Sequence, residues 1–293
     1  KLGSRACNTV YKVYYDSQAG SKEGVFKPLP NIDASVVEGG WVASMIGVNC
    51  RNPQTAMRNL ATLDVAKELG FDVVPDTTIA EHGGKLGLLM DQAEGTLGYE
   101  TSRNLFEDPG VRRELTKLQI LDALVAQGDR HGNNYFINKD PNTGKVKVTG
   151  IDNDQCLGNR IEDPNGIARG NTEETEGFRG VKLPPVIDSD MAAKIRDLDA
   201  ESLKNLLGDK LAPSEVIATI TRLDCIKEHV EALREDGRII DPNDWGSEKT
   251  AQLLTDKTNS YVARDIRYAP QEENSREQDT QDIILQLMIL QGR

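Results

Sequence analysis

Two clusters of oxygen-bearing side chains stand out in the chain: Gly128-Asp129-Arg130-His131-Gly132-Asn133-Asn134 and Ile151-Asp152-Asn153-Asp154. Phosphoryl transfer to a hydroxyl needs a carboxylate beside the acceptor proton and oxygen ligands for a divalent cation at the nucleotide phosphates. Magnesium is a hard cation, better served by Asp carboxylates and an Asn amide oxygen than by His or Cys. Asp129 is therefore the candidate base, and Asn134 and Asp152 are the candidate metal ligands. Asp154 and Asn133 are spare oxygen ligands. Asp, Asn and Gly also make ordinary solvated turns, so either cluster alone would carry little. The two together, in this order and in this frame, point to chemistry.

The frame is a helix and a hairpin. Leu115, Leu118, Leu121, Leu124 and Val125 fall on one face of a helix that Gly128 is expected to end. Tyr135-Phe136-Ile137 and Lys145 to Thr149 read as two strands turning at Pro141-Asn142-Thr143-Gly144, which leaves the acidic cluster on the following loop.

Asp129-Arg130-His131 with Asn134 beyond it resembles the catalytic loop of phosphoinositide 3/4-kinase-like enzymes, which invert the His-Arg-Asp order of protein kinases. Ile151-Asp152 resembles the metal-binding Asp of the kinase Asp-Phe-Gly segment, and type II phosphatidylinositol 4-kinases have a similar Ile-Asp-Asn reading. The run Arg58 to Thr77 also resembles those enzymes. The resemblance spans roughly residues 2 to 157. It implies an atypical kinase: an α+β, bilobal protein-kinase-like fold with a small β-rich N-lobe (1–90) and a mainly helical C-lobe (91–270). From residue types alone, 271–293 read as a polar linker and an apolar C-terminal helix.

The same resemblance assigns further residues. Gly3, Ser4 and Val10 fall at the glycine-rich phosphate loop, where Arg5 and Asn8 replace two glycines. Lys27, on the strand after that hairpin, takes the place of the ammonium that pairs with nucleotide phosphates. Gln54 to Leu69 reads as an amphipathic helix stopped by Gly70, where kinases keep a Glu for that Lys. Asn59 stands at that Glu position, so Asp64, ahead of Glu68, is the expected partner. Met90 and Asp91 open the hinge that would hold adenine. The cofactors implied are ATP and magnesium or manganese.

Composition bounds the partners. At 293 residues with 38% hydrophobic residues the chain can bury a core, and a net charge of −12 argues against a broad nucleic-acid or anionic-membrane surface. No apolar run reaches the ~20 residues that span a bilayer. Cys7, Cys50, Cys156 and Cys225 are scattered, which fits a reduced, intracellular setting and small buried side chains. A start at Lys1 reads as an excised or processed fragment. Residues 157–182 sit where kinases keep the acceptor-binding segment, and their charges are mixed: Arg160, Arg169, Arg179 and Lys182 oppose Glu162, Asp163, Glu173, Glu174 and Glu176. A lipid kinase would gain from a basic segment there. The expected acceptor is therefore a protein Ser or Thr, in a bacterial-effector-like kinase acting in the cytoplasm or inside a host cell. A phosphoinositide is the alternative acceptor, and a catalytically silent scaffold is the third reading. Oligomeric state is left open.

Beyond Pro184 the chain reads as helical: Asp188–Leu198, Glu201–Leu207, a longer helix capped by Ser214 and burying Val216, Ile217, Ile220, Leu223, Ile226, Val230 and Leu233, and a last candidate over Ser247–Ala263.

Overall fold

The computed structural model describes residues 3–5, 8–17, 20–29, 41–164, 183–257 and 259–270. It divides as expected into a β-rich N-terminal part and a mainly helical C-terminal part. The N-terminal sheet has five antiparallel strands in the order β1 (Gly3–Arg5), β2 (Asn8–Ser17), β3 (Gly20–Pro28), β5 (Lys85–Asp91), β4 (Thr77–His82). The β4–β5 hairpin closes through Gly83 and Gly84, at φ 59° and 73°. Two consecutive positive φ values match the twist of the strands and favour glycine there.

The ladder between β2 and β3 runs on to Asp16 opposite Ser21 and Ser17 opposite Gly20. Asp16, Ser21, Lys22 and Glu23 there are polar and exposed, so no apolar alternation marks this end. The backbone ladder pairs it, with a Lys12–Glu23 ion pair at 2.7 Å across the strands.

Between β3 and β4 lie the helices α1 (Trp41–Ile46) and α2 (Thr55–Glu68). Helix α2 stops where Gly70 turns to φ 65°. Its buried face does not stay with the sheet. Ala61, Val65, Ala66 and Leu69 join the core built by Leu115, Leu118, Leu121, Leu223 and Ile226 of the C-terminal part. Arg58 reinforces this: it is 1% exposed and donates to Glu215 Oε1 at 2.6 Å and to the carbonyls of Pro53, Cys156 and Leu157.

A second sheet of three strands, β6 (Thr96–Leu97), β7 (Tyr135–Lys139) and β8 (Val146–Gly150), packs beside the long helix α4 (Pro109–Val125), which follows the short α3 (Arg103–Phe106). Asp108 caps α4, accepting from the Gly110 N–H at 2.8 Å, with Pro109 in the first turn. The expected apolar face of α4 is fully buried. Its end is earlier than expected: Ala126, not Gly128, takes the left-handed conformation at φ 51°, and the Gln127 N–H closes onto Asp122 O at 2.9 Å. Packing of Ala126 against Met45 and Ile161 holds a residue that has no special taste for that region.

The C-terminal helices are α5 (Ser189–Asp197), α6 (Ala200–Leu207), α7 (Pro213–Glu235), α8 (Glu248–Leu253) and α9 (Tyr261–Ile266); β9 (Ile187–Asp188), ahead of α5, pairs in parallel with β10 (Ile239–Ile240), which follows α7. Ser214 is not the cap of α7. The helix begins at Pro213, and Glu215 reaches back to the Ala212 N–H at 3.0 Å. Ile217, expected inside, is 62% exposed. The single helix expected over Ser247–Ala263 is two, because Ser247 and Ser260 each cap a separate start. Cys156 is buried, whereas Cys50 and Cys225 are partly exposed. Among the described residues no helix is long and apolar enough to cross a membrane. Most of the glycine-rich stretch after Pro164, the 271–293 tail and Cys7 lie outside the described residues.

Losing one partner of a buried ion pair leaves the other charge uncompensated. Arg58→Met is expected to lower the unfolding free energy by about 3–5 kcal/mol. Adding Glu215→Leu should recover part of it, both read by urea denaturation.

Candidate active site

Between the five-stranded sheet and the second sheet runs a cleft of about 520 Å³, within the ~300–1,000 Å³ usual for small-molecule sites. Val10 and Val25 come from the N-terminal sheet and Phe136 and Ile151 from the opposite side. Met90, Asp91, Gln92, Ala93, Glu94 and Gly95 line the connecting strand, and Lys27 and Asp152 supply charge. The slot is thus apolar on both faces and ionic at one place, a shape that suits a flat ring bearing an anionic chain.

Lys27 is 6% exposed, and its Nζ lies 2.5 Å from Asp152 Oδ1. Burial pushes the Lys27 ammonium down, but the charges of Asp152 and Asp154 outweigh it and hold its pKa above the ordinary value. Burial likewise pushes Asp152 up, and Lys27 pulls it below the ordinary carboxylate range. Asp154 behaves oppositely: burial and the neighbouring Asp152 charge raise it against the pull of Lys27. Asp152 has φ 55°, a region that Asp tolerates better than most residues.

The two polar loops are tied together. Asp129 lies beyond the residues that line the cleft, yet Gln127 bridges the loops. Gln127 accepts from the Asp129 N–H at 3.0 Å and donates to Asp152 O at 3.2 Å. Arg130, fully buried, holds Asp122 through both carboxylate oxygens at 2.9 and 3.0 Å. Its remaining donors reach Asn134 O and Ile151 O at 2.6 Å each and Asn153 Oδ1 at 2.6 Å. Tyr261 adds a hydrogen bond to Asp122 Oδ2 at 2.9 Å. The Asn134 side chain donates from Nδ2 to Asp129 O at 2.8 Å, which commits its amino group and leaves its oxygen for another partner.

The remaining expected residues divide. Gly3 and Ser4 pair with Val10 and Thr9 in a tight hairpin, and Val10 lines the cleft. Met90 lines it too. Asp91 also does, but its carboxylate accepts from the Tyr15 hydroxyl and lies 3.4 Å from Lys22, so it is engaged with the first hairpin. Asp64 does not reach Lys27: it pairs with Lys210 at 3.3 Å, because the face of α2 that bears it turns towards the C-terminal helices. Asn59 donates to Thr55 O at 2.9 Å, and Glu68 is exposed. Helix α2 therefore gives Lys27 no carboxylate.

Sequence reasoning missed Gln127, the buried role of Arg130, and the cleft residues Val25, Pro75, Phe136 and Ile151. Phe136 had a signal: Tyr135 and Ile137 are core, and strand alternation puts 136 on the other face. Gln127 had none.

Oxygen-donor chemistry can be tested on these residues. Among the described residues no group of three or more His, Cys, Asp or Glu could by itself hold a metal ion. A half-exposed Asp152 carboxylate and an Asn134 amide oxygen suit magnesium, which takes one or two protein carboxylates and completes its shell with water and phosphate. The donor set fits.

Arg130→Leu should cost about 3–5 kcal/mol of stability by leaving Asp122 buried and unpaired. Chemical denaturation reads it, and a loss under about 1 kcal/mol would show that the loops are held by something else.

No family model matches the chain. Among solved structures the chain is similar to a proinflammatory kinase, CtkA, of Helicobacter pylori, at 9% identity over 78% of this chain and 97% of that one, with a TM-score of 0.46. It is also similar to a Shewanella oneidensis toxin–antitoxin complex of HipA, HipB and operator DNA, at 12% identity over 87% and 64% of the two chains, with a TM-score of 0.32. Among curated proteins, 115 residues, 38% of the chain, are 34% identical to phosphatidylinositol 4-kinase gamma 3 of Arabidopsis thaliana, and the chain spans 18% of that relative's length.

Proposed function

We propose that this chain is an ATP-dependent phosphotransferase, with a protein Ser or Thr hydroxyl as the favoured acceptor. One observation carries the reading: a buried ammonium and a carboxylate, 2.5 Å apart, stand in an apolar cleft whose floor is joined through Gln127 to the loop bearing Asp129. Apolar faces from Val10, Val25, Phe136 and Ile151 would take the base. The Asp91 and Gln92 N–H groups already donate to Asp76 O and Glu23 O, so the base edge would meet backbone from Ala93 onwards.

Lys27 would bind the phosphates, and Asn134 and Asp152 would hold magnesium or manganese. The metal, when bound, supplies neutralisation of the phosphate charge. The acceptor oxygen forms a bond to the γ-phosphorus as the bond to the bridging oxygen breaks and ADP departs. Asp129 accepts the hydroxyl proton. Mixed charge in residues 157–182 supports a protein acceptor over an anionic headgroup. The curated relative supports the second reading, a phosphoinositide acceptor, since it is named a phosphatidylinositol 4-kinase.

Asp129→Ala and Asp152→Ala are expected to abolish transfer from labelled ATP while the circular dichroism melt stays cooperative. Turnover surviving in either removes the proposed role. Mg-ATP should raise the melting temperature of the unmodified chain, because a ligand that binds the native state stabilises it. No response would favour a silent scaffold. Label recovered in protein or in phosphoinositide, from a mixture of cell extract and lipid vesicles, decides the acceptor.

A further inference from the structure

One wall of the cleft is carried by the β2–β3 hairpin, and that hairpin is fastened to the connecting strand from behind. Gly24 stands opposite Val13 on one side and Asp91 on the other, so these three share a face of the sheet. Val25 and Met90, the next pair along, take the other face and line the cleft. Tyr15, two residues beyond Val13, is on the Asp91 side. Its ring crosses Gly24, where a Cβ would meet Tyr15 Cε1 at 2.9 Å and Met90 O at 3.0 Å. A residue with no side chain lets the phenol span β3 and donate its hydroxyl to Asp91 Oδ1 on β5. That hydrogen bond, aided by burial, pushes the Tyr15 pKa up to about 12, so the hydroxyl keeps its proton at neutral pH. Lys22, opposite Tyr15 in the ladder, brings its ammonium to 3.4 Å from the same carboxylate. The Gln92 N–H donates to Glu23 O at 3.4 Å. Three contacts therefore join the outer half of the hairpin to Asp91 and Gln92, where the chain leaves the sheet.

We infer that Tyr15 is a positioning residue for the nucleotide base: anchored on Asp91, it fixes the distance of Val25 from Phe136 and Ile151 across the slot without touching the ligand. This rests on the phosphotransferase reading of the cleft. A base is a thin plate, and dispersion contacts fall off steeply when the walls around it part by a fraction of an ångström. An unfastened hairpin spends part of its time with the slot at the wrong width, and apparent affinity falls by the fraction of chains still competent to bind. Lys27 sits deeper on β3, opposite Leu88 in the middle of the sheet, so the phosphate end does not depend on the fastening. The effect belongs to the base.

The test is calorimetric titration with adenosine and with Mg-ATP over the unmodified chain, Tyr15→Phe, Asp91→Ala and the pair. Tyr15→Phe is expected to weaken both ligands by the same factor, about fivefold, and by less than about twofold when Asp91 is already Ala. Equal losses in both backgrounds would overturn the inference. So would a larger loss for ATP than for adenosine, which would mean that the freed Asp91 charge repels the phosphates. Affinities unchanged in Tyr15→Phe, even with a lower melting temperature, would leave the bond a merely structural one and overturn this inference alone. Adenosine failing to bind an unmodified chain that binds ATP does the same. No ATP binding by the unmodified chain overturns the phosphotransferase reading and this inference with it. Should Tyr15→Phe fail to fold, Asp91→Ala decides, with weakened adenosine in support and unchanged adenosine against.

Discussion

The buried Arg130–Asp122 pair is the interaction on which both polar loops hang. A guanidinium has five donors in a fixed plane, and here two are spent on Asp122 and the rest on the backbone of Asn134, the backbone of Ile151 and the side chain of Asn153. Asp122 sits on α4, so the arginine refers both loops to one rigid element. Burial would depress its charge, yet Asp122 more than restores it. A neutral side chain could fill the space but could not orient two carbonyls and an amide at once. The arrangement makes the separation of the loops a property of the core rather than of the solvent-facing chain.

Around that hub the C-terminal part contributes more than bulk. Tyr261 reaches Asp122, Tyr135 reaches Asp265 at 2.7 Å, and Gln119 bonds Asn259 O at 3.1 Å. The segment around α9 therefore backs the catalytic-loop candidate directly. Tyr99 extends the contact, stacking with His131 at 6.2 Å and edge-on to Tyr268 at 5.6 Å. Gly132 allows this approach, since a Cβ there would lie 2.2 Å from the Tyr99 ring.

Much of this was legible in the residues. The apolar stripe of α4, both hairpins flanking the cleft and the pairing of one acidic loop with another follow from periodicity and turn chemistry. What escaped did so for tertiary reasons. Choosing Asp64 for Lys27 required knowing which face of α2 meets the sheet, and that is decided by Arg58 and Glu215, far apart in the chain. Ala126 ends its helix because Met45 and Ile161 surround it, which no local preference announces. Gln127 is an ordinary residue type whose value lies only in the two backbone groups it meets. Oxygen-rich loops can be read one at a time; the side chains that hold them in register cannot.

The fastening of α2 has a mechanical corollary. Arg58 carries a charge sealed at 1% exposure and is anchored to a carboxylate of α7 as well as to carbonyls of the acidic loop. Swinging this helix outward would strip that charge bare in a dry interior. Any opening of the cleft would then have to move the N-terminal strands rather than this helix. The helix belongs to the fixed wall of the cleft.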